Sequence, residues 1–513
     1  EPSARSGMEL SDLKTMMSVA IRRCGGLMLA GALIAAPAAA GDKQFTIAVV
    51  PDTQHYVEYT RQKASGFPFD ASEQYLEQMR YIADHTVAKG GDIVFVTSVG
   101  DVWQNQSKVV DQAHVMRGLA PVVPPPEAHV DAPTDQVFKV EMPAAAQGYR
   151  LIAGKVPFSV VPGNHDYDAA WPVEPPKGPD GKPKTTFMIH VGGLDNFRSV
   201  FGAGSEFFRG KPWYVASHDG GADSAQVFSA GGYRFLHIGL QFAAPSASLR
   251  WAQQVIRRYP GLPTIISTHD FLYFDGRRVA NPIMDPASVD PQDNDPEDMW
   301  RKLISANDQV FLVLSGHERG QAYRADRNAR GHMVYQVMAD YQDRGQSGVD
   351  AGAKPGIASW TGDGWMRLMQ FDMRGAAPSI HVRTYSTFYK AFSTDLPTYA
   401  AWYRPHEQPA MSDADFLKSE DFTIDLAAKK VRKGDDDVHL TPTEWGMLEM
   451  LVRNRGKLVG KEELLREVWG PAYAKETHYL RVYLAQLRRK LEDDPSHPKH
   501  LLTESGMGYR FRQ

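Results

Sequence analysis

The sequence of 513 residues contains a single cysteine, Cys24, so it can form neither an intrachain disulfide nor a metal site built from cysteine thiolates. Any bound metal must therefore take its ligands from His, Asp, Asn or Gln side chains. A strong excess of charge is also missing, because the net charge is only -4, and this gives no argument for or against nucleic acid as a partner. The hydrophobic content of 42% is that of a globular chain, with room for about two to four domains.

Long apolar runs are scarce, and the one candidate lies near the N-terminus. Two arginines (22–23) precede an apolar, glycine-rich run, which ends in three alanines (38–40). This order is typical of a bacterial secretory signal, and the run is too short for a helix that spans a bilayer. We therefore predict an upstream extension and signal peptide over residues 1–40, with a buried helix as the alternative. No membrane span is expected after cleavage.

Apolar segments that end in polar clusters recur along the chain, at 44–52, 92–101, 158–166, 233–241, 263–270 and 310–318. Amphipathic helical patterns lie between some of them, for example at 249–260. Strands that alternate with helices predict a layered α/β fold, and polar residues at strand ends are typical of a site at the carboxyl edge of a sheet. Three segments rich in Pro, Gly and charge are interpreted as surface insertions: 104–155, 169–186 and 285–298. The segment 285–298 is interpreted as a solvated loop.

The polar clusters at the strand ends contain oxygen and imidazole ligands. They are Asp52-Thr53-Gln54-His55, Gly100-Asp101, Gly163-Asn164-His165-Asp166, His269 and Gly316-His317-Glu318-Arg319. Such a mixture suits divalent ions such as Mn, Fe, Zn or Ni. Two of these ions about 3.5–4 Å apart can hold a hydroxide between them and clamp a phosphate for in-line attack. The alternative for the third cluster is a simple turn, which Asn and Asp favour.

The motifs D-x-Q, G-D, G-N-H-D, H and G-H, in this order, resemble those of the calcineurin-like metallophosphoesterases. The resemblance covers about residues 44–400, within a domain predicted over 41–404, and implies a β-sandwich flanked by helices. It also implies two divalent metal ions and hydrolysis of phosphate mono- or diesters by a metal-bound hydroxide. The metal ligands that it implies are Asp52 and Gln54 for the first ion, Asn164, His269 and His317 for the second, and Asp101 as the bridge between them.

The same resemblance implies the catalytic roles. His165 would act as a general acid or stabilise the oxyanion, and Asp166 would orient the His165 ring through its other nitrogen. The sequence departs from the family pattern at Gln54 and Arg319, where histidine is usual. Gln54 would ligate weakly, and Arg319 cannot ligate because it stays protonated. The first site is therefore weakened or empty, unless His55 replaces a ligand, and the Arg319 guanidinium is a candidate partner of the substrate phosphate.

A different pattern begins near residue 422, after a polar segment (405–421) that we interpret as a linker. Short strands precede a helix with Thr441 as its N-cap, and Glu444 completes a capping box. The third helix of this module places four leucines in one stripe, and a hairpin is predicted to turn at Ser505-Gly506. The stripe consists of Leu480, Leu484, Leu487 and Leu491.

The opposite side of the third helix is polar and partly basic. It carries His478, Arg481, Tyr483, Gln486, Arg488 and Arg489. Such a face suits a helix in the DNA major groove, with a merely solvated face as the alternative. The stretches LTPTEWGMLEMLVRNRGKLVGKEELLREVWG, YLRVYLAQLRRKLE and GMGYRF resemble the winged-helix domain of OmpR/PhoB-type response regulators, especially those that control potassium-uptake operons.

This second resemblance implies that residues 422–513 bind double-stranded DNA. Bases would be contacted by Val482 and Gln486, and the wing at the minor groove would contain Thr503 and Ser505. Phosphates would be approached by His478, Tyr483 and Arg488. The receiver domain that normally precedes this module in a phosphorelay is replaced by the phosphoesterase-like segment.

The two modules predict different compartments, since a used signal leads to the periplasm or the exterior and promoter binding requires the cytoplasm. Three interpretations stay open. The chain is a secreted phosphoesterase fused to a DNA-binding tail, a cytoplasmic transcription regulator whose signal is not used, or a protein in which phosphoester binding regulates DNA binding. The nearly complete ligand clusters favour the first interpretation.

Overall fold

The computed structural model describes residues 43–123, 132–350, 358–374, 378–396, 399, 416–418, 422–425, 430–433, 436–454, 456–469, 477–504 and 506–512. The predicted signal peptide (1–40) and Ser505 lie outside the described residues. The chain divides into two compact units, with the boundary between Ala410 and Met411, inside the segment predicted to be a linker. Every helix in the described part of the chain is too short or too polar to cross a bilayer.

The unit that ends at Ala410 contains fifteen described strands and eight α-helices. The strands are β1 (Gln44–Val50), β2 (Ile93–Ser98), β3 (Phe158–Ser159), β4 (Ala169–Val173), β5 (Met188–Gly192), β6 (Tyr214–His218), β7 (Asp223–Ala230), β8 (Tyr233–Gly239), β9 (Thr264–Ser267), β10 (Val310–Ser315), β11 (Gly320–Arg327), β12 (Met333–Asp340), β13 (Trp365–Asp372), β14 (Ser379–Ser386) and β15 (Ala391–Phe392). The helices are α1 (Gln54–Val57), α2 (Ser72–Asp84), α3 (Gln112–Met116), α4 (Met142–Ile152), α5 (Asp195–Phe201), α6 (Ser246–Arg258), α7 (Pro296–Met299) and α8 (Ser347–Asp350).

Two large sheets form the centre of this unit. One has the strand order β15-β14-β13-β1-β2-β3, in which β1, β2 and β3 are parallel. The other has the order β11-β12-β10-β9-β8-β7-β6, in which β8, β9, β10 and β12 are parallel. The strands predicted from the polar clusters are thereby confirmed, and their carboxyl ends mark the edges at which a site is expected.

Aromatic side chains join the two sheets face to face. The ring of Phe95 stacks on that of Phe228 with centroids 4.4 Å apart, and the rings of Phe45 and Phe235 lie 5.6 Å apart. All four side chains are buried, and burial of apolar surface is the main stabilising contribution in such a core. Helices α2 and α4 contribute buried side chains to one core cluster and α6 to another, as the layered α/β prediction requires.

The three segments predicted to be surface insertions are built into the unit. The first contains α3 and α4, and the second contributes β4, which pairs with β5 so that Trp171 lies opposite His190. The prediction of a solvated loop at 285–298 is wrong for Asp290, which is 3% exposed. Its carboxylate accepts a hydrogen bond from Arg117 over 2.7 Å, and this ion pair offsets the cost of burial.

The unit that contains residues 411–513 has two small sheets and three α-helices in its described part. Its strands are β16 (Phe416–Lys418), β17 (Thr423–Asp425), β18 (Lys430–Lys433), β19 (Asp436–Asp437), β20 (Val459–Gly460), β21 (Leu501–Glu504) and β22 (Gly508–Phe511), and its helices are α9 (Pro442–Arg453), α10 (Lys461–Trp469) and α11 (Thr477–Leu491). The strand orders are β16-β17-β18-β19 and β20-β22-β21. The strand β16 lies within the predicted linker, which is therefore partly folded.

The predicted helix cap and leucine stripe of this unit are confirmed. The Thr441 hydroxyl accepts from the Glu444 amide over 3.3 Å, and the Thr441 amide donates to the Glu444 carboxylate over 2.7 Å. The four leucines of α11 are 0–2% exposed and pack in one cluster with side chains of α9, α10 and the β20-β22-β21 sheet.

Candidate functional site

The first candidate site is a metal-ligand cluster at the carboxyl ends of parallel strands. Ligand atoms of Asp101, His269 and His317 all lie within 4.8 Å of one another. The amide oxygen of Asn164 belongs to the same cluster, because it lies 2.9 Å from Nε2 of His269. The structure thus brings together the four residues that the sequence analysis assigned to one metal.

The hydrogen bonds of His269 explain why this cluster fits a cation. Its Nδ1 donates to the Val99 carbonyl over 2.8 Å, so the neutral ring has its lone pair on Nε2. This atom faces the Asn164 amide oxygen and, at 3.3 Å, Oδ1 of Asp101. Nε2 also lies 3.0 Å from Nδ1 of His317, and the acceptors around it require a positive charge, which is either a proton on Nε2 or a metal ion in its place. Burial alone would lower the pKa of His269, but the carboxylates of Asp101 and Asp52 raise it to about 10.

The residues predicted for the first metal adjoin the cluster. Oδ2 of Asp52 accepts from the His317 amide over 3.0 Å, and the Gln54 amide group donates to Oδ2 of Asp101 over 3.2 Å. Three further atoms are buried without a hydrogen-bond partner in the described part of the chain: Oδ1 of Asp52, Oε1 of Gln54 and Nε2 of His317. Such atoms are costly unless a ligand completes them, so these residues also fit a metal.

Close backbone approach explains the glycine of the G-H motif. A Cβ atom at Gly316 would lie 2.1 Å from Oδ1 of Asp52, which leaves room for no side chain. Two ligands also have left-handed backbone conformations, with φ of 49° at Asp101 and 68° at His317. Non-glycine residues rarely adopt this conformation, and it is frequent at functional sites.

The predicted role of Asp166 is wrong, although His165 does lie at the cluster. The His165 amide donates to Oδ1 of Asp101 over 2.9 Å, and its ring Nδ1 donates to the Gln104 carbonyl over 2.7 Å. Asp166 is fully buried, and its carboxylate accepts from the amides of Val102, Trp103 and Gly163 over 2.7–3.2 Å. It therefore holds two strand-end loops together and does not orient the His165 ring.

Two features of this site were not predicted. Glu141 is fully buried and accepts from the amides of Gln104 and Asn105 over 3.1 and 3.0 Å, so it fixes the loop that orients His165. At the end of β12, Asp340 accepts from the Gln342 side chain over 2.6 Å, and Gln342 accepts from Gln54 over 3.2 Å. An acidic residue at the end of a further parallel strand was the available sequence signal for Asp340.

Arg319 lies beside the cluster, directly before β11, and is partly buried. The pKa of His317 is lowered to about 3, mainly by burial. The positive charges of His269 and Arg319 lower it further. The charge of Arg319 also lowers the pKa of His55, which is about 4 mainly because the ring is buried. The guanidinium therefore adds positive charge to the region where the second histidine of the family motif is missing.

The second candidate site is the outer face of α11. Arg481, Val482 and Arg489 are exposed on the side opposite the leucine stripe, and Gln486 is partly exposed there. The side chain of Val482 is 52% exposed, so an apolar group stands on this face beside charged ones. Tyr483 packs partly against the core. His478 lies in α11, but its side chain is outside the described part of the structure.

Arg488, which the sequence predicts to approach a phosphate, also has a partner within the chain. Its guanidinium donates to the Leu501 carbonyl over 2.8 Å and to the Thr503 hydroxyl over 2.8 Å. These bonds connect α11 to the hairpin of β21 and β22, so Arg488 positions the predicted wing. Thr503 is exposed on this hairpin, and Gly506 in its turn has a φ of 81°. The turn therefore lies where the sequence predicted it.

Comparisons with known proteins agree with the second site. The family model for the C-terminal domain of transcriptional regulatory proteins matches residues 435–511. The transcriptional regulatory protein KdpE of Mycobacterium tuberculosis is 46% identical over 222 residues, which are 43% of this chain and 96% of that protein. The KDP operon transcriptional regulatory protein KdpE of Escherichia coli is 48% identical over 95 residues, or 18% of this chain and 42% of that protein.

Among solved structures, the chain is similar to the RstA DNA-binding domain of Klebsiella pneumoniae in complex with the RstA box. The identity is 27%, with 19% of this chain and 96% of that chain covered and a TM-score of 0.18. The DNA-binding domain of CpxR from E. coli is 26% identical, with the same two coverages and the same TM-score. By its sequence match to KdpE and to the C-terminal family model, the chain belongs to the transcriptional regulatory proteins of the OmpR/PhoB class.

Proposed function

We propose that the chain is a transcription regulator that recognises a specific promoter sequence through α11 in the major groove and the β21–β22 hairpin as a wing. The observation that carries this proposal is the exposed face of α11, on which Val482 and two arginines, at 481 and 489, are open to solvent. Arginine contacts phosphates and guanine edges, whereas an exposed apolar side chain suits a thymine methyl group. The names of its KdpE relatives make the operator of a potassium-uptake operon the first sequence to test.

The test is binding of the full chain to a fluorescent duplex that carries this operator, with a shuffled duplex as competitor. Arg481→Ala and Arg489→Ala should each weaken binding and reduce the dependence of affinity on salt, because each removes a cation near the phosphates. Arg432→Ala is the matched control, since this exposed arginine lies on β18 and pairs with Asp437 over 2.8 Å. Equal binding of both duplexes at all salt concentrations would contradict sequence recognition.

We propose a second function, hydrolysis of phosphate mono- or diesters, for the cluster around Asp101. The supporting observation is the convergence of acceptors on Nε2 of His269. Asp101, Asn164, His269 and His317 would hold one divalent ion, and Asp52, Gln54 and Asp101 would hold a second, weaker one. When bound, such ions would lower the pKa of a water molecule and neutralise charge on the phosphate.

The residues of this chain would perform the remaining tasks. His165 is held through its Nδ1–H by the Gln104 carbonyl, and in the doubly protonated ring Nε2–H would give its proton to the leaving oxygen or donate to a phosphate oxygen. The fixed Nδ1 proton keeps the ring in one orientation throughout. Arg319 would pair with a phosphate oxygen and compensate for the charge that the weaker first site lacks.

Hydrolysis is tested with Mn²⁺ and either p-nitrophenyl phosphate or bis(p-nitrophenyl) phosphate. Asp101→Ala and His165→Ala should abolish turnover, whereas His85→Ala should not, because His85 is exposed at the end of α2. Turnover that persists in both cluster variants would exclude this site as its source.

The two functions together imply a regulator whose phosphoesterase-like unit stands where a receiver domain is usual. Such a protein must reach the chromosome, so we propose that the signal-like segment (1–40) is not used for export. Cell fractionation with N-terminal sequencing of the mature chain tests this. A chain that begins after residue 40 and is found outside the cytoplasm would exclude the regulatory role in the cell.

A further inference from the structure

A second group of metal-ligand side chains lies outside the cluster around Asp101. His190 of β5 and two aspartates of the 285–298 segment, Asp290 and Asp293, bring one ligand atom each within 4.8 Å of one another. Nε2 of His190 lies 4.0 Å from Oδ2 of Asp290 and 3.8 Å from Oδ2 of Asp293. Ligand atoms about 2.1 Å from one tetrahedral ion lie about 3.4 Å apart, so the side chains would close by about half an ångström around an ion.

His190 is the residue that points to a ligand. It is 2% exposed, and neither of its buried ring nitrogens forms a hydrogen bond of regular geometry in the described part of the chain, although the Val191 backbone lies near enough to act on the ring. A neutral imidazole needs one donor and one acceptor contact, so burial without either is unfavourable. A metal ion on Nε2 would complete one of these two contacts.

The two aspartates supply the negative charge that a cation requires. Oδ2 of Asp290 accepts from Arg117 over 2.7 Å, and the same oxygen faces His190, so an ion would share it with the guanidinium. Asp293 forms no hydrogen bond with an arginine or lysine among the described residues, and its Oδ2 faces His190 over 3.8 Å. Divalent ions with mixed nitrogen and oxygen ligands, such as zinc, suit one imidazole and two carboxylates.

The three side chains open into a cavity of about 190 Å³. His114, which lines the same cavity, donates Nδ1–H to Asp111 over 2.8 Å, as metal-binding histidines commonly do to a carboxylate, and its ring lies 5.7 Å from that of His190. Phe242 lines the cavity from the other side, and its ring lies 5.8 Å from the rings of both His269 and His317. The cavity therefore adjoins the first cluster but has its own ligands.

We propose that His190, Asp290 and Asp293 bind a zinc-type divalent ion at a site separate from the cluster around Asp101. The ion would connect β5 to the 285–298 segment, which the sequence predicts to be only a solvated loop. This site does not depend on the proposed hydrolysis, because none of its three ligands belongs to the Asp101 cluster.

Metal counting on the full chain tests the proposal. The protein is stripped with a chelator, loaded with Zn²⁺, desalted and analysed by inductively coupled plasma mass spectrometry. Asp293→Asn and His190→Gln should each hold about one zinc fewer per chain than the unchanged protein. Circular dichroism establishes that each variant is folded, and the isosteric Asp293→Asn decides the question if His190→Gln does not fold.

Two further variants separate the possible causes. Asp219→Asn is the matched control, since Asp219 lines the same cavity but pairs with Arg198 over 2.7 Å, and it should keep the full zinc count. Asp101→Asn should lose zinc only from the other cluster. If it loses none, the proposed phosphoesterase centre fails while this inference stands. A full count in both Asp293→Asn and His190→Gln, or an equal loss in Asp219→Asn, would overturn the inference.

Discussion

His165 donates its Nδ1 proton to the carbonyl oxygen of Gln104, 2.7 Å away, and Gln104 in turn donates its amide to the buried carboxylate of Glu141. The orientation of the histidine thus depends on an acidic residue that is distant in sequence. Glu141 also accepts from the Tyr59 amide over 3.1 Å, so one carboxylate holds two loops near the cluster.

Replacement of this carboxylate should impair both stability and turnover. In Glu141→Gln an amide NH₂ group would face backbone N–H donors, and each buried donor left unsatisfied costs about 1–3 kcal/mol. We expect a lower free energy of unfolding and a lower kcat with little change in KM, measured by denaturation and by p-nitrophenyl phosphate hydrolysis. Glu206→Gln is the control, since this exposed residue only pairs with Arg150. Unchanged kcat in Glu141→Gln would show that the loop does not control His165.

Arg319→His restores the residue type that the metallophosphoesterase pattern has at this position. It removes a positive charge that acts on His317 and His55 and adds a neutral imidazole at the same position, so we expect tighter binding of the first metal. Mass spectrometry of the Mn²⁺-loaded chain should give about one more ion per chain at limiting metal concentration. Arg319→Gln, which removes the charge without adding a ligand, separates the two effects. No gain with histidine would exclude position 319 as a ligand position.

The sequence predicted the strand-end clusters because apolar runs and their polar ends are local patterns. It could not predict what Asp166 does, since the carboxylate meets the amides of Val102 and Trp103 only after two loops fold together. The same holds for the cavity at His190, where β5 meets side chains of two segments, 104–155 and 285–298, whose composition indicated only surface insertions. In the DNA-binding unit the capping box and the leucine stripe were predictable because their partners lie within a few residues on one helix.

Arg488→Ala should mainly lower the stability of the C-terminal unit. Its effect on the salt dependence of DNA binding should be small. The arginine donates to the Leu501 carbonyl and the Thr503 hydroxyl, so its loss frees the hairpin and should lower the free energy of unfolding by about 1–3 kcal/mol. Urea denaturation of residues 411–513 measures this. In contrast, Arg489→Ala should leave stability nearly unchanged and reduce the salt slope of DNA binding by about 1. The reverse order of effects would mean that Arg488, not Arg489, meets the phosphates.

Thr441→Ala removes the N-cap of α9 and should lower the stability of the same unit by about 1 kcal/mol. The hydroxyl accepts from the Glu444 amide, and an alanine leaves that donor to solvent. Thr441→Ser retains the hydroxyl and should behave like the unchanged unit in the same urea titration. A loss of similar size in both variants would point to the methyl group of Thr441 as the source of the effect.

The left-handed backbone at Asp101 and His317 limits which residues can stand there. Asp, Asn and His tolerate this conformation better than most side chains, and β-branched residues tolerate it worst. Ligation and backbone geometry therefore select nearly the same residue types at both positions. A substitution by valine or isoleucine would remove the ligand and distort the loop at once, so in a mutational scan these two positions should accept asparagine and glycine for folding while losing metal.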